Sequence, residues 1–570
     1  MLTDSPVMRA AGARILFLAG AAVTVAVLLW MHQLRSGEEL PGLTAIFFVE
    51  FAYQDYWPTA CELLILVAAV FIASRIPART LLRAVGERPA TVAAITLVIL
   101  CAGALGVYHD HPLSMDEYAA YFQSQVFAGG HLTGQFPLPQ KDWLIPPGFQ
   151  NFFLTISPAT GQVASSYWPA HALILAGFTA LDIPWACNPV LSALTVLVVH
   201  RLARYMFAQV EAAGLAVLLT VCSPVFFGIG ISYYSMPAHL LANCLYALLL
   251  ARPDPRRALA AGFVGSIALC LHNPVPHILF AVPWLVWIAT RRGGLRLLAA
   301  LCLGYLPLCL LLGVGWFELL QHLRTAVPDP AAHAGTAQFL KSMLSIFSPP
   351  TATVLLGRGI GVAKIWVWAV PGLLILAGWG AVRWRHNTLC LLLAASAVIT
   401  LVGYVFFPAD QGHGWGNRYF HSAWMALPLL ATAAVFRPAA TGTEPANFAA
   451  VAAARGIFEN PDTESYLTAC ILLTLVFGVG LRAWQMQAFM ASDLSQLPHY
   501  RGTERRVVIV DYATSFYGAD LVQNDPWLRG NVIRMMTHGA AEDRRMMAQN
   551  YPTWHKVYGD RFGTVWSAAK

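Results

Sequence analysis

The sequence predicts an all-α polytopic membrane protein with a small α/β domain at its C-terminal end. Hydrophobic residues make up 57% of the 570 residues and charged residues only 11%, less than half the charged share of an ordinary soluble domain. The apolar residues gather in long runs, whereas residues 485–570 have a mixed, polar composition. This distribution excludes a soluble protein of this size, a disordered chain, a coiled coil and a nucleic-acid-binding protein.

Thirteen apolar runs are candidate membrane-spanning helices, because a helix needs roughly 20 mostly apolar residues to cross the hydrocarbon core. The first run is predicted to be a span and not a cleaved signal, since no small-residue cleavage site follows it. The candidate spans are 13–34, 58–74, 90–108, 185–203, 209–230, 237–251, 258–272, 276–290, 297–317, 364–382, 388–407, 421–436 and 466–484.

Basic residues are concentrated in every second loop, from Arg9 at the start of the chain to Arg455 before the last span. Because basic loops stay on the cytoplasmic side, this pattern predicts a multi-pass membrane protein with defined sidedness, which in a bacterium would lie in the inner membrane. The N-terminus would be cytoplasmic and the C-terminal domain periplasmic. The periplasmic side would then also carry the long loop 109–167.

Four parts make up the predicted domain organisation. Residues 1–89 form additional N-terminal membrane helices, and 90–440 form a membrane core that includes the loop 109–167. Residues 441–484 form an inner linker and the last membrane helix, and 485–570 form the C-terminal domain. Within that domain, the β-branched run RRVVIVDY predicts a strand.

An acidic pair stands in the long loop. Asp116 and Glu117 occupy the first turn of a predicted amphipathic helix, 116–128, which we expect to lie on the membrane surface. The helix dipole favours carboxylates there, so simple capping is one interpretation. The other is a carboxylate held at the membrane edge as a general base. The proline- and aromatic-rich segment 136–168 predicts ordered, irregular loops of the kind that line a site. The apolar stretch 168–182 is too short to span the membrane and is expected outside or re-entrant, which predicts a cavity open to the periplasm.

Four segments follow one another between residues 90 and 440: SMDEYAAYFQSQVFAGGHL, SYWPAHALILAGFTALDIPWACNPVLSALTVLVVHRLARYMF, SPVFF and GWGNRYF. They bring an acidic pair in a long outer loop, a proline-aromatic helix, an arginine-rich inner turn and an Arg-Tyr pair before a late span. This order resembles the GT-C-fold membrane glycosyltransferases, in the bacterial branch related to protein O-mannosyltransferases and lipid A aminoarabinose transferases. The resemblance implies a GT-C-like catalytic core in the predicted membrane protein.

The resemblance also implies an activity in the cell envelope. A sugar would pass from a polyprenyl-phosphate donor to a hydroxyl of a lipid, glycan or protein acceptor at the periplasmic face, with inversion. Asp116 would be the general base, with Glu117 beside it. Arg418 would bind the donor phosphate, flanked by His413 and His421, since a guanidinium matches phosphate oxygens. Without the resemblance, an arginine reaching to the membrane interface is the simpler interpretation of Arg418.

Other residues are candidates for the substrate cavity and for a metal site. The segment His272-Asn273-Pro274 stands where the resembling family often has Arg-Pro, which leaves a substrate-binding role for this turn open. The run His109-Asp110-His111 is a candidate ligand set for a divalent Mg²⁺ or Mn²⁺, although three adjacent side chains rarely all reach one ion. The residues expected to line the cavity are Tyr118, Trp143, Tyr167, Trp168, His171 and His272.

Several other functions are weighed against this one. The chain has no P-loop and no strand–GxGxxG–helix unit, which argues against a nucleotide-sugar donor. A transporter or lipid flippase without catalytic activity is the main alternative. Transporters carry polar residues at mid-membrane, whereas the spans predicted here are nearly free of charge and the carboxylates gather in the outer loop. A lipid-linked polymer ligase or polymerase is a third hypothesis.

Overall fold

The computed structural model describes residues 10–36, 46–325, 347–439, 456–514 and 517–568. In these ranges the chain is mostly helical and contains two small β-sheets. The predicted inner linker falls largely on residues 440–455, which lie outside the described residues.

Helices α1 to α12 cover the first part of the chain. They are α1 (Ala11–Ser36), α2 (Ile46–Val49), α3 (Tyr56–Ile72), α4 (Ala78–Glu87), α5 (Pro89–Gly106), α6 (Met115–Ala128), α7 (Lys141–Leu144), α8 (Ala170–Thr179), α9 (Cys187–Met206), α10 (Val210–Val221), α11 (Pro224–Gly230) and α12 (Met236–Leu250).

Helices α13 to α24 cover the rest. They are α13 (Pro255–Cys270), α14 (Val275–Ala289), α15 (Gly294–Leu308), α16 (Gly315–Arg324), α17 (Ala352–Val367), α18 (Leu373–Arg383), α19 (Thr388–Val405), α20 (Arg418–His421), α21 (Ala426–Val435), α22 (Pro461–Leu473), α23 (Val479–Leu494) and α24 (Ala540–Asn550).

Seven helices of the described chain are long and apolar enough to cross a membrane, and the pair α10 and α11, bent by 60°, would make an eighth span. The polytopic membrane class is therefore confirmed, while the count of thirteen spans stays a prediction. The seven are Ala11–Ser36, Tyr56–Arg75, Pro89–Gly106, Pro184–Met206, Gly294–Arg324, Thr388–Val405 and Pro461–Leu494.

The predicted span 364–382 is two helices instead of one. Helix α17 ends at Val367 and α18 begins at Leu373. Gly372 in the turn between them has φ +89°, a backbone conformation that L side chains rarely adopt. Hydropathy carries no information on backbone direction, so the apolar composition of segment 364–382 did not indicate this break.

Small residues let neighbouring helices approach closely. A Cβ atom on Gly262 of α13 would lie 2.0 Å from the carbonyl oxygen of Leu301 in α15, and one on Gly304 would lie 2.2 Å from that of Leu259. Such close backbone contact is a common basis of helix association in membranes. The two helices therefore pack tightly across the membrane body.

The outer loop folds into short elements around α6. Strand β3 (Gln162–Ser165) pairs antiparallel with both β1 (Gly134–Gln135) and β2 (Leu154–Ile156). The apolar face of α6 carries Tyr118, Phe122 and Val126, as predicted, but this face packs against the C-terminal sheet. This apolar face is therefore covered by protein, while the expected position of α6 on the membrane surface stays a prediction.

The C-terminal domain is a four-stranded sheet with one helix, as the composition predicted. Strands β4 (Arg506–Val510) and β5 (Val532–Met536) are parallel, while β7 (Gly563–Ala568) pairs antiparallel with β4 and with β6 (Trp554–Asp560). Helix α24 connects β5 to β6. Because α23 continues to Leu494, the domain begins after the predicted boundary at residue 485.

Candidate functional site

A largely buried ion pair joins Asp116 to Arg418. An Nη atom of Arg418 donates to Asp116 Oδ2 at 2.9 Å, and the Tyr167 hydroxyl donates to Oδ1. The Arg418 side chain is 4% exposed and that of Asp116 22%. Asp116 stands in the first turn of α6, and Arg418 opens the one-turn helix α20. The fold thus brings together two residues predicted separately from sequence.

The surroundings of Asp116 keep its carboxyl ionised. Burial favours the neutral form and would raise the pKa of Asp116. The nearby Arg418 and His272 and the Tyr167 hydroxyl act in the opposite direction, so the pKa of the carboxyl lies below its ordinary range. At neutral pH the group is a carboxylate, the form that accepts a proton.

Arg418 is held on several sides. Its backbone N–H donates to Gln411 Oε1 at 2.9 Å, and its guanidinium lies 4.3 Å from the centre of the Tyr234 ring, within range of a cation–π contact. A Cβ atom on Gly414 would lie 2.6 Å from the Arg418 side chain, so the loop must have glycine there. Among the described residues, the buried Arg418 Nε has no hydrogen-bond partner, which leaves one N–H donor for a ligand.

Glu117 caps the helix that carries Asp116. It forms a capping box with Ser114 and accepts hydrogen bonds from the Tyr108 hydroxyl at 2.8 Å, Leu113 N at 2.6 Å and Tyr233 N at 3.2 Å. Its side chain is fully buried, and burial raises the pKa of Glu117 to about 7 against these donors. The structure therefore gives Glu117 a part in fixing the start of α6.

A small cavity of about 10 Å³, room for roughly one water molecule, lies beside Asp116. Four of the six residues predicted to line a substrate cavity line this one: Tyr167, Trp168, His171 and His272. The rings of Tyr167 and His272 lie 3.9 Å apart. Although buried, His171 Nδ1 has no hydrogen-bond partner among the described residues. The cavity therefore offers polar atoms next to the carboxylate.

The other two predicted cavity residues lie elsewhere. The Tyr118 hydroxyl donates to the carbonyl oxygen of Asn524 at 2.5 Å and accepts from the N–H of the same residue at 2.8 Å. Trp143 Nε1 donates to Asp543 at 2.9 Å. Both side chains connect the outer loop to the C-terminal domain, so the sequence-based placement of Tyr118 and Trp143 in the cavity is corrected.

The two histidines predicted to flank Arg418 have other neighbours. His413 Nε2 lies 3.2 Å from Glu50 Oε1, and its ring packs against Trp415. His421 is buried with its ring stacked on Trp424. Among the described residues, neither histidine shares a hydrogen bond with Asp116 or Arg418.

The predicted metal ligands do not converge. His109 and Asp110 both have positive φ angles, 56° and 50°, and Asp110 accepts a hydrogen bond from the Tyr233 hydroxyl. In the described parts of the chain, no three His, Cys, Asp or Glu side chains are arranged to hold a metal ion. The described residues therefore offer no three-ligand protein site for Mg²⁺ or Mn²⁺, and a need for metal stays a prediction.

A buried charge network lies behind the loop 411–416. Lys364 Nζ is 2.8 Å from Glu50 Oε2 and 3.6 Å from Asp55 Oδ2, and Arg482 is 2.5 Å from Asp55 Oδ1. The hydropathy pattern predicts spans nearly free of charge and does not indicate this network. The available signal was the two cations inside predicted spans, because a charge at such a position is costly unless it is paired.

The C-terminal domain covers the start of α6. Asp520 Oδ1 accepts a hydrogen bond from Met115 N at 2.7 Å, directly beside Asp116. Burial raises the pKa of Asp520 to about 7. The ring of Tyr517 lies 5.5 Å from that of His413. The cover of the site therefore comes from the last part of the chain.

Fold and site together define a polytopic membrane protein with an acid–arginine pair beside a polar cavity. No protein-family model matches the sequence, and no curated protein sequence matches it either. Among solved structures, the chain is similar to ArnT from Cupriavidus metallidurans bound to undecaprenyl phosphate, with a TM-score of 0.50 and 14% identity over 84% of this chain and 97% of that chain. The apo state of the same protein gives a TM-score of 0.49 at the same identity and coverage. The predicted resemblance is thereby confirmed at the level of the fold.

Proposed function

We propose that the protein is a glycosyltransferase that moves a sugar from a polyprenyl-phosphate donor to an acceptor hydroxyl at the periplasmic face of a bacterial inner membrane. The observation that carries the proposal is the pair formed by Asp116 and Arg418. The carboxylate of Asp116 suits removal of a proton from the acceptor, and the guanidinium of Arg418 suits binding of the donor phosphate.

Asp116 is the proposed general base. A carboxylate has about four lone-pair positions, and two of them receive Arg418 and Tyr167, which leaves room for an acceptor hydroxyl. The acceptor oxygen bonds to the anomeric carbon as the bond from that carbon to the phosphate oxygen breaks. The hydroxyl proton passes to Asp116, and the phosphate leaves with the electron pair. Attack from the side opposite the phosphate inverts the anomeric centre.

Arg418 is the proposed phosphate ligand. Its Nε hydrogen is not used within the described chain, and its position is fixed by Gln411 and Tyr234. A preorganised cation stabilises the negative charge that grows on the leaving phosphate. The undecaprenyl phosphate bound to the structurally similar ArnT supports this class of donor.

An apolar groove supports a donor with a lipid tail. It lies between α17 and α19, has a volume of about 250 Å³ and extends to Asn417 and Tyr419, on both sides of Arg418. Its outer wall contains the exposed side chains of Leu355, Val362 and Val402. An isoprenoid chain in this groove would place its phosphate beside Arg418.

A transporter or flippase without catalytic activity is the second candidate. The buried network of Glu50, Asp55, Lys364 and Arg482 favours it, because paired charges inside helices also occur along transport paths. The two functions differ in one measurable respect: only a transferase forms a covalent product.

The deciding experiment uses the full chain in vesicles with labelled polyprenyl-phosphate sugars and bacterial envelope acceptors. We expect Asp116→Asn to lower transfer by about 10²–10⁴-fold with unchanged membrane insertion. The matched control is Asp142→Asn, another carboxylate of the same outer loop, whose side chain is 41% exposed. Near-normal turnover by Asp116→Asn would overturn the assignment, and movement of the intact lipid without a product would favour the flippase.

A further inference from the structure

A second pocket of interest lies at the opposite end of the helices that carry the site. Helix α14 begins just after His272 and ends at Ala289, and α12 begins next to Ser235 and ends at Leu250. Each has 15 residues, about 22 Å of helix. At their far ends lies a pocket of about 520 Å³ whose wall includes Arg252, Arg257 and Arg291.

Neighbouring groups fix all three guanidinium groups in the wall of this pocket. Arg252 lies 4.4 Å from the centre of the Tyr205 ring, and Arg291 lies 4.5 Å from that of Trp287. Both distances fit cation–π contacts, which hold a guanidinium in place while its N–H groups remain free to donate. Arg257 donates to the carbonyl oxygen of Arg252 at 3.2 Å.

The charge in this pocket is unbalanced. Among the described residues, Asp254 is the only carboxylate that lines it, at 3.3 Å from Arg257. Within the described ranges, neither Arg252 nor Arg291 forms an ion pair. The pocket therefore has three arginines and one carboxylate, an excess of positive charge that calls for an anion.

A neighbouring pocket provides an internal comparison. It too is lined by three arginines, but each has a glutamate partner within 2.8 Å, so its arginines are neutralised within the protein. The pairs are Arg79–Glu464, Arg83–Glu211 and Arg437–Glu459. The excess charge therefore distinguishes the pocket around Arg252 and Arg291 from its neighbour.

We infer that the pocket lined by Arg252, Arg257 and Arg291 binds the phosphate headgroup of an anionic phospholipid. Guanidinium groups pair well with phosphate oxygens, and basic pockets between membrane helices suit such headgroups. The pocket lies at the ends of apolar helices, where headgroups are found. Tyr205 and Trp287 are residue types typical of that depth. The inference does not depend on the proposed transferase activity.

The test uses the full-length protein in detergent micelles that contain either phosphatidylglycerol or phosphatidylcholine, with bound lipid measured by native mass spectrometry. We expect the wild type to retain phosphatidylglycerol selectively. The double variant Arg252→Gln/Arg291→Gln should bind it about tenfold more weakly or worse, because two charge-assisted contacts are lost. Arg75→Gln, an exposed arginine that does not line the pocket, is the matched control and should behave as the wild type.

Three outcomes would overturn the inference. Equal retention of phosphatidylglycerol by the double variant and the wild type is one. An equal loss in Arg75→Gln is the second, since it would indicate general surface charge. Displacement of the lipid by millimolar inorganic phosphate is the third, because it would identify a soluble phosphate as the ligand. If the glutamine variant does not fold, Arg252→Lys/Arg291→Lys replaces it and should still weaken binding, since lysine lacks the bidentate geometry.

Discussion

Glu50 accepts a hydrogen bond from the backbone N–H of Gly414 at 3.3 Å. This contact joins the helical segment 46–54 to the loop whose glycine packs against the Arg418 side chain. The same carboxylate is paired with Lys364. The buried charge network therefore supports the proposed phosphate ligand through one loop, without contact to the cavity.

Loss of the Glu50 charge should lower the stability of the folded protein. Glu50→Gln leaves Lys364 facing Asp55 alone at 3.6 Å, and breaking a buried pair from one side typically costs about 3–5 kcal/mol. We expect a clearly lower melting temperature in detergent. The double variant Glu50→Gln/Lys364→Met removes both charges and should recover most of the stability. A double variant less stable than Glu50→Gln would contradict the pairing.

Replacement of Arg418 should change both donor binding and the pH profile. In Arg418→Gln the main influence that lowers the pKa of Asp116 is gone, so burial raises that pKa and the acidic limb of the kcat profile moves to higher pH. KM for the donor should rise more than KM for the acceptor. The control is the same kinetic measurement on Arg324→Gln, because Arg324 is an exposed arginine at the end of α16. An unmoved acidic limb would separate Arg418 from the proposed base.

Glu117 should make stability depend on pH. Its pKa rises from an ordinary 4.5 to about 7 in the folded protein, so between these values the folded state holds more protons than the unfolded state. Stability therefore falls as pH rises through this window. Glu117→Gln should flatten that dependence in melting curves. Asp520, whose pKa is also raised, contributes with the same sign, and Asp520→Asn provides the comparison. An unchanged slope in both variants would refute the assignment.

Tyr118 should hold the C-terminal domain on α6. Tyr118→Phe removes a hydroxyl that both donates to and accepts from Asn524, and the buried groups left unpaired cost about 1–3 kcal/mol. We expect a protease to cleave the folded Tyr118→Phe variant after residue 494 faster than it cleaves the folded wild type. Tyr512→Phe is the control, since that side chain is 48% exposed. Equal cleavage rates in the two variants would mean that the contact is not needed for docking.

The sequence predicted the parts of the site that depend on local pattern. Asp116 at the start of a helix, Arg418 before a late span and a strand at the start of the C-terminal domain all follow from neighbouring residues. The contact between Asp116 and Arg418 spans 302 positions, and no periodicity predicts such a contact. Only the resemblance suggested that both serve one reaction.

Other features depended on tertiary packing. Glu50, Asp55, Lys364 and Arg482 come from distant segments and become a network only when the helices meet. Trp143 belongs to a loop whose aromatic composition suggests a cavity, but composition does not tell which wall a ring joins. It packs on the C-terminal domain because Asp543 offers an acceptor there.

The cover over α6 also sets an order of assembly. Met115 and Tyr118 find their partners Asp520 and Asn524 only 405 and 406 positions later in the chain. Because a membrane protein is made from its N-terminus, α6 waits through nearly the whole synthesis with Tyr118, Phe122 and Val126 uncovered. The base thus acquires its final surroundings last, and a chain that stops early carries an unfinished site and an apolar surface that chaperones and proteases can recognise.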